Sequence, residues 1–339
     1  MEQSSDNHYG LVLAGVGLAL ALAIAAGVFW GTANLPVDER IKALLRLPDA
    51  QRNLELIIWE WRLPRVIAVA LVGAALSLAG VIMQALLRNP LADPYLLGLS
   101  SGASAAATAS IVWLPAVVMT TVGLPLLAFA GAMVAFLVTL GLAFRPGRGM
   151  DKLMLILAGI AVSLFFSSVS AFFLHIADPH VTRNALSFLM GSASGTKWSQ
   201  LWPLAVVVPV ACLAVFALSR HLDAVLLGDE RAVALGVPLN AMRVGLFSVA
   251  ALLAGLAVAI AGIVGFVGLV VPHMARLLVG ASHRRLVPLA VVLGMIVLVV
   301  VDLLCRIVLA PEELPLGVLL ALFAAPPFVV ILRRVRRGL

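Results

Sequence analysis

The sequence predicts an all-α, polytopic membrane protein of about ten transmembrane helices per subunit, with an inverted repeat. Three observations predict it. The 339 residues are 63% hydrophobic and only 12% charged, where ordinary soluble domains are about 25% charged. Apolar runs recur along the chain, each of about 20 residues, the length a helix needs to cross roughly 30 Å of hydrocarbon. The stretches GAALSLAGV at 73–81 and GLAVAIAGI at 255–263 match with Gly, Ala, Ala and Gly in register.

The first span, 10–31, follows MEQSSDNHY, which has no Lys or Arg, and its apolar run is too long for a signal-peptide core. Residues 33–61 are polar enough to leave the bilayer and form an outer segment. Spans follow at 62–87, 94–111, 115–144, 152–176 and 199–219. A polar loop, 220–242, separates these from spans at 243–263, 265–280, 286–309 and 313–332. The run 265–280 is the weakest, being short and interrupted by Pro272. With ten spans, the two repeat stretches fall in the second and seventh, which run in opposite directions, as an inverted repeat requires. Small residues at such spacing also serve close helix packing by itself.

Charge sets the expected orientation. An even number of spans puts both termini on one side, and the tail LRRVRRGL carries four arginines. The loops on that side hold fourteen of the 23 lysines and arginines, so that side is expected to be cytoplasmic. The formal charge of +7 therefore reads as orientation, and no nucleic-acid partner is expected.

The polar residues exclude several chemistries. GSASGTKW at 191–198 lacks the spacing of a phosphate-binding loop. The six histidines form no metal-ligand pattern, and no paired carboxylates suggest a catalytic centre. Catalytic residues, metal and cofactor are therefore all expected to be none, and the chain is not expected to be an enzyme. Cys212 and Cys305 both fall inside spans and read as small buried apolar residues. Ionisable residues within the spans are sparse, which disfavours a proton-coupled carrier. Asp302 and Arg306 stand four apart on one helix face and can pair. The 220–242 loop keeps Leu222, Val225, Leu226, Val233, Leu235 and Val237 with bends at Gly228 and Gly236. It suits short amphipathic helices and a protein partner at the membrane surface.

The motifs RLPR at 62–65, GVIMQALLRNPLADPYLLGLSSGA at 80–103, LGDERAVALGV at 227–237, GFVGLVVPHMAR at 265–276 and ELPLGV at 313–318 together resemble permeases of the FecCD type. These are membrane subunits of type II ATP-binding-cassette (ABC) importers for ferric siderophores, haem and cobalamin. The resemblance implies one transmembrane permease domain over 1–339, with a periplasmic segment at 33–61 and a cytoplasmic coupling loop at 220–242. It implies a bulky metal chelate moved inward across a bacterial inner membrane, with a ferric siderophore first, haem next and cobalamin third. A self-contained channel or ion-coupled carrier is the alternative.

The partners it implies are a separate cytoplasmic ATPase dimer, which would use the ATP, a periplasmic or lipid-anchored substrate-binding protein, and a second copy of the chain. Carried over by motif, Gly228, Asp229, Glu230, Arg231, Ala232, Leu235 and Gly236 would couple to the ATPase. Arg62, Arg65 and Arg306 would receive carboxylates of the binding protein. Ser163, Phe166, Ser167, Ser170, Met190 and Ser192 would line the pathway between the two copies. RNPLADP is expected to be a turn, with Asn89 and Asp93 accepting from turn amides, and the small residues after it to pack closely.

Overall fold

The computed structural model describes residues 2–31, 36–48, 50–114, 123–145 and 149–337. Its long helices fall on the apolar runs. They are α1 (Glu2–Phe29), α4 (Leu63–Leu87), α5 (Leu99–Trp113), α6 (Gly123–Ala143), α7 (Lys152–Ile176), α9 (Trp202–Ala217), α12 (Leu239–Ala261), α13 (Val267–Val279), α14 (His283–Ile307) and α15 (Leu316–Arg337). Each expected span has its counterpart. Between them lie the shorter helices α2 (Val37–Leu45), α3 (Arg52–Leu56), α8 (Pro179–Leu189), α10 (Ser219–Leu226) and α11 (Asp229–Ala234). A two-residue antiparallel pair, β1 (Phe144–Arg145) with β2 (Gly149–Met150), closes the turn after α6. Of the expected span 115–144, residues 115–122 lie outside the described residues.

Among the described residues, seven of the helical stretches are long and apolar enough to cross a membrane. Helices α5 and α13 are shorter for physical reasons. Before α5, Pro94–Leu97 form a 3-10 turn and Gly98 adopts φ +81, a left-handed conformation that glycine tolerates best. The break leaves α5 with 15 residues, roughly 22 Å at 1.5 Å per residue. Helix α13 has 13 residues and runs through Pro272. Proline has no N–H, so it cannot bond the carbonyl four residues earlier. That carbonyl, of Gly268, is instead taken by Gln84 of α4, whose Nε2 donates at 3.1 Å and also reaches Leu269 O at 3.2 Å. Arg276 donates in turn to Gln84 Oε1. One α4 side chain thus repairs the defect that the proline makes.

Nearly all of α4 is buried, and it packs against α12, α13 and α14, with α9 and α1 further round. Its glycines allow this. A Cβ on Gly73 would collide with the Gly294 carbonyl, and one on Gly80 with the Gly268 carbonyl, so α14 and α13 touch α4 backbone to backbone. The repeat partner is used differently: a Cβ on Gly255 would stand 2.8 Å from the Met133 Cε of α6, and Gly262 ends α12 at φ +65. A second close crossing joins α5 and α6 at Gly102 and Gly131, as the small residues after RNPLADP predict. The bundle's outer faces carry Leu126, Leu137 and Leu213, all more than half exposed, which suits contact with lipid better than with water.

The segment ahead of the RLPR motif, residues 36–48 and 50–61, folds as a cap. Helices α2 and α3 lead through a π-helical turn, Ile57–Arg62, straight into α4. Trp59 Nε1 donates to Ala43 O at 3.3 Å, Arg46 lies 4.2 Å over the Trp59 ring, and Trp198 Nε1 donates to Trp59 O at 2.8 Å.

Candidate functional site

At one end of the bundle, basic residues from three spans converge on one carboxylate. Asp229 opens α11 and accepts from Arg88, the residue after α4. It also accepts from Lys152 at the start of α7 at 3.3 Å and from Arg243 in α12 at 2.6 Å. Burial alone would raise the Asp229 carboxyl, but the Arg243 hydrogen bond and the charges of Arg243, Lys152 and Arg88 outweigh it and hold it below the ordinary carboxylate range. Arg88 reaches Asp229 because it caps α4 at φ +51. The turn beyond it is held as expected, with Asn89 Oδ1 accepting from Leu91 N at 3.0 Å and Asp93 Oδ1 from Tyr95 N at 2.9 Å. Burial pushes the Asp93 carboxyl up to about 6 against that hydrogen bond.

Beside this clamp the loop presents apolar surface. Leu226, Leu227, Val233 and Leu235 are exposed, Leu235 at 65%, while Leu222, Val225 and Val237 turn inward. Gly228 and Gly236 take φ +116 and +81 and set the bends around α11. Glu230, Arg231, Leu235 and Gly236 are open to the surface, whereas Ala232 is buried beneath and Asp229 is held in the clamp.

At the opposite end, Arg62, Arg65 and Arg306 come together and all are buried. Arg62 Nη1 donates to Val28 O at 3.1 Å and Phe29 O at 2.9 Å, and Arg306 Nη1 to Gly27 O at 2.9 Å and Trp30 O at 3.2 Å. Both thereby satisfy carbonyls at the end of α1, which have no donor within the helix. Arg65 Nε donates to Asp302 at 2.9 Å, and its Nη1 to both Glu313 oxygens at 2.8 and 2.9 Å. The expected Asp302–Arg306 pair forms at 3.1 Å. The three arginines, Gly31, Trp61 and Glu313 line an open cup of about 170 Å³.

Along α7, Leu157, Ile160, Leu164, Phe165 and Phe172 form an exposed apolar face. Ser167 is exposed and Ser163 and Phe166 are half-buried. Ser170 points the other way: it is buried and accepts from Thr108 Oγ1 of α5 at 3.3 Å. Met190 and Ser192 sit in a backbone junction, where Met190 O accepts from Gly317 N at 3.1 Å and Ser192 N donates to Ala261 O at 2.9 Å. Met190 is exposed and Ser192 half-buried.

The FecCD transport family matches residues 11–334. The chain belongs to the FecCD transport family. It is 39% identical over 322 residues to the Fe(3+) dicitrate transport system permease protein FecD of Escherichia coli (strain K12), covering 94% of this chain and 98% of that one. It is 38% identical over 283 residues to the vitamin B12 import system permease protein BtuC of Citrobacter koseri (strain ATCC BAA-895), covering 84% of each. Among solved structures, a transporter assigned to the metal-chelate ABC type, in an inward-facing conformation, aligns with TM-score 0.83 and 29% identity over 96% of this chain and 99% of that chain.

Within this FecCD chain, sequence reasoning missed the residues that hold the site. Arg88, Lys152 and Arg243 are more than fifty residues from one another in sequence, and only the fold makes them one clamp. Glu313, within ELPLGV, carried no sign of its Arg65 partner 248 positions away. The one available signal for Gln84 was a polar residue inside an apolar span, which must find a partner.

Proposed function

We propose that this FecCD chain is the membrane-spanning subunit of an importer whose ATPase is a separate polypeptide, and that two copies enclose the path of a bulky metal chelate. The observation that carries the coupling part of this reading is the exposed Leu226, Leu227, Val233 and Leu235 surface. It projects from a loop that Asp229 ties to three spans. An apolar patch rimmed by charge suits a protein interface, and a loop so anchored passes movement to α4, α7 and α12 together. ATP-driven closure of the ATPase pair would shift the equilibrium between inward- and outward-open arrangements. The clamp end would face the cytoplasm with both termini, in a bacterial inner membrane.

At the far end, a substrate-binding protein would present carboxylates to the cup lined by Arg62, Arg65 and Arg306, where arginine favours bidentate pairing. Cargo would pass along the apolar face of α7, which offers few strong binding points. A ferric chelate is the leading cargo, in keeping with the ferric dicitrate relative, and cobalamin is the cargo named for the other.

Reconstitution with the partner ATPase and binding protein tests the reading. Leu235→Asp, a surface change, is expected to abolish stimulated ATPase activity and uptake of ferric dicitrate while leaving the melting temperature unchanged. Wild-type stimulation in that variant would remove the coupling role, and ATP-independent uptake by the chain alone would overturn the importer reading.

A further inference from the structure

A cleft of about 460 Å³ opens beside the first turn of α14, lined by Tyr9, Phe216, Arg284 and Arg285. It is many times the roughly 30 Å³ share of one water. Three apolar stretches end there: Tyr9–Phe29 begins at Tyr9, Trp198–Ala217 finishes beside Phe216, and His283–Ile307 begins next to Arg284. The cleft therefore lies at the depth of lipid headgroups, at the end of the bundle that carries the Asp229 clamp. Arg285 stands 5.7 Å over the Tyr9 ring and Arg284 is exposed.

Below the cleft the surface is bare and apolar. Val206, Val210, Leu213 and Phe216 are exposed on α9 at three- and four-residue spacing, which places them on one face leading to the cleft. Gly10, Gly15 and Gly17 of α1 meet nothing within 4 Å at their Cβ positions. A soluble anion would need the two arginines but not the apolar stripe. We infer that this cleft is a binding site for an anionic phospholipid, with its phosphate on Arg284 and Arg285 and an acyl chain along α9. Arginine pairs with phosphate oxygens, and basic clefts between spans suit such headgroups.

Native mass spectrometry of the full chain in mixed micelles tests this, with phosphatidylglycerol and phosphatidylcholine as probes. Wild type is expected to retain one phosphatidylglycerol in preference to phosphatidylcholine. Arg284→Gln/Arg285→Gln should weaken that binding by about fivefold per arginine, about thirtyfold together. Arg284→Lys/Arg285→Lys should retain most of it, and Arg220→Gln/Arg231→Gln, exposed charges at the same end, should leave lipid binding unchanged. Retention within about twofold of wild type in the glutamine pair overturns the proposal. So does equal loss in the Arg220/Arg231 control, which would mean diffuse surface charge. Displacement of the lipid by excess inorganic phosphate would assign the cleft to free phosphate and overturn the lipid source.

Discussion

Asp302→Asn removes the buried charge that the arginine cluster is built around. The carboxylate is fully buried, 2.9 Å from Arg65 Nε and 3.1 Å from Arg306 Nε. Breaking a buried pair by neutralising one partner costs about 3–5 kcal/mol, because the other charge is left uncompensated. The lower end applies here. Arg65 keeps both Glu313 contacts and Arg306 keeps the carbonyls of Gly27 and Trp30, so the expected loss is about 3 kcal/mol.

An unfolding entropy of roughly 2.1 cal/mol/K per residue over 339 residues is about 0.7 kcal/mol per degree. The melting temperature should therefore fall by about 4 °C. Thermal unfolding of the purified chain in detergent, followed by tryptophan fluorescence, measures it. A variant that melts within about 1 °C of wild type would refute the idea that uncompensated charge sets the cost.

Other expectations follow from the clamp and the crossings. Gly80→Val places a side chain against the Gly268 carbonyl and should cost at least the roughly 1–3 kcal/mol of an overpacked core, seen as a lower melting temperature or loss of monodisperse protein. Asp229→Asn should change stability by less than about 1 kcal/mol, since its carboxylate is 40% exposed, yet reduce ATPase stimulation in the reconstituted importer. Because the folded Asp229 is held below its ordinary value, its contribution is complete above about pH 4 and fades only as pH falls through the lowered value; melting curves from pH 6 to 8 should show no pH dependence from it. Asp93 has the opposite sign. With its carboxyl raised to about 6, stability should fall as pH rises from about 4 to that value and then level off, and Asp93→Asn should flatten that slope.

Hydrophobic run length located the ten main helices, because a chain in lipid must satisfy its backbone within each segment, and length plus polarity reveal that directly. The RNPLADP turn was legible for the same local reason: Asn89 and Asp93 bond amides two residues away. The cap at 36–48 and 50–61 was not, since its helices are short and are fixed by Trp59, Arg46 and Trp198 meeting across the chain. Nor was the inward turn of Ser170, because the periodicity of a nearly all-apolar helix does not say which face meets protein and which meets lipid.

What the sequence by itself determined is what depends on neighbours along the chain: the class, the spans, the turn, and the motifs that place the chain in its family. Only the tertiary structure decided which charges satisfy which. Arg88, Lys152 and Arg243 share one carboxylate, Gln84 supplies the donor that Pro272 lacks, and Arg62 and Arg306 cap the end of α1. A charge or an orphan carbonyl in a low-dielectric interior demands a partner, but its position in the sequence does not say which one the fold will bring.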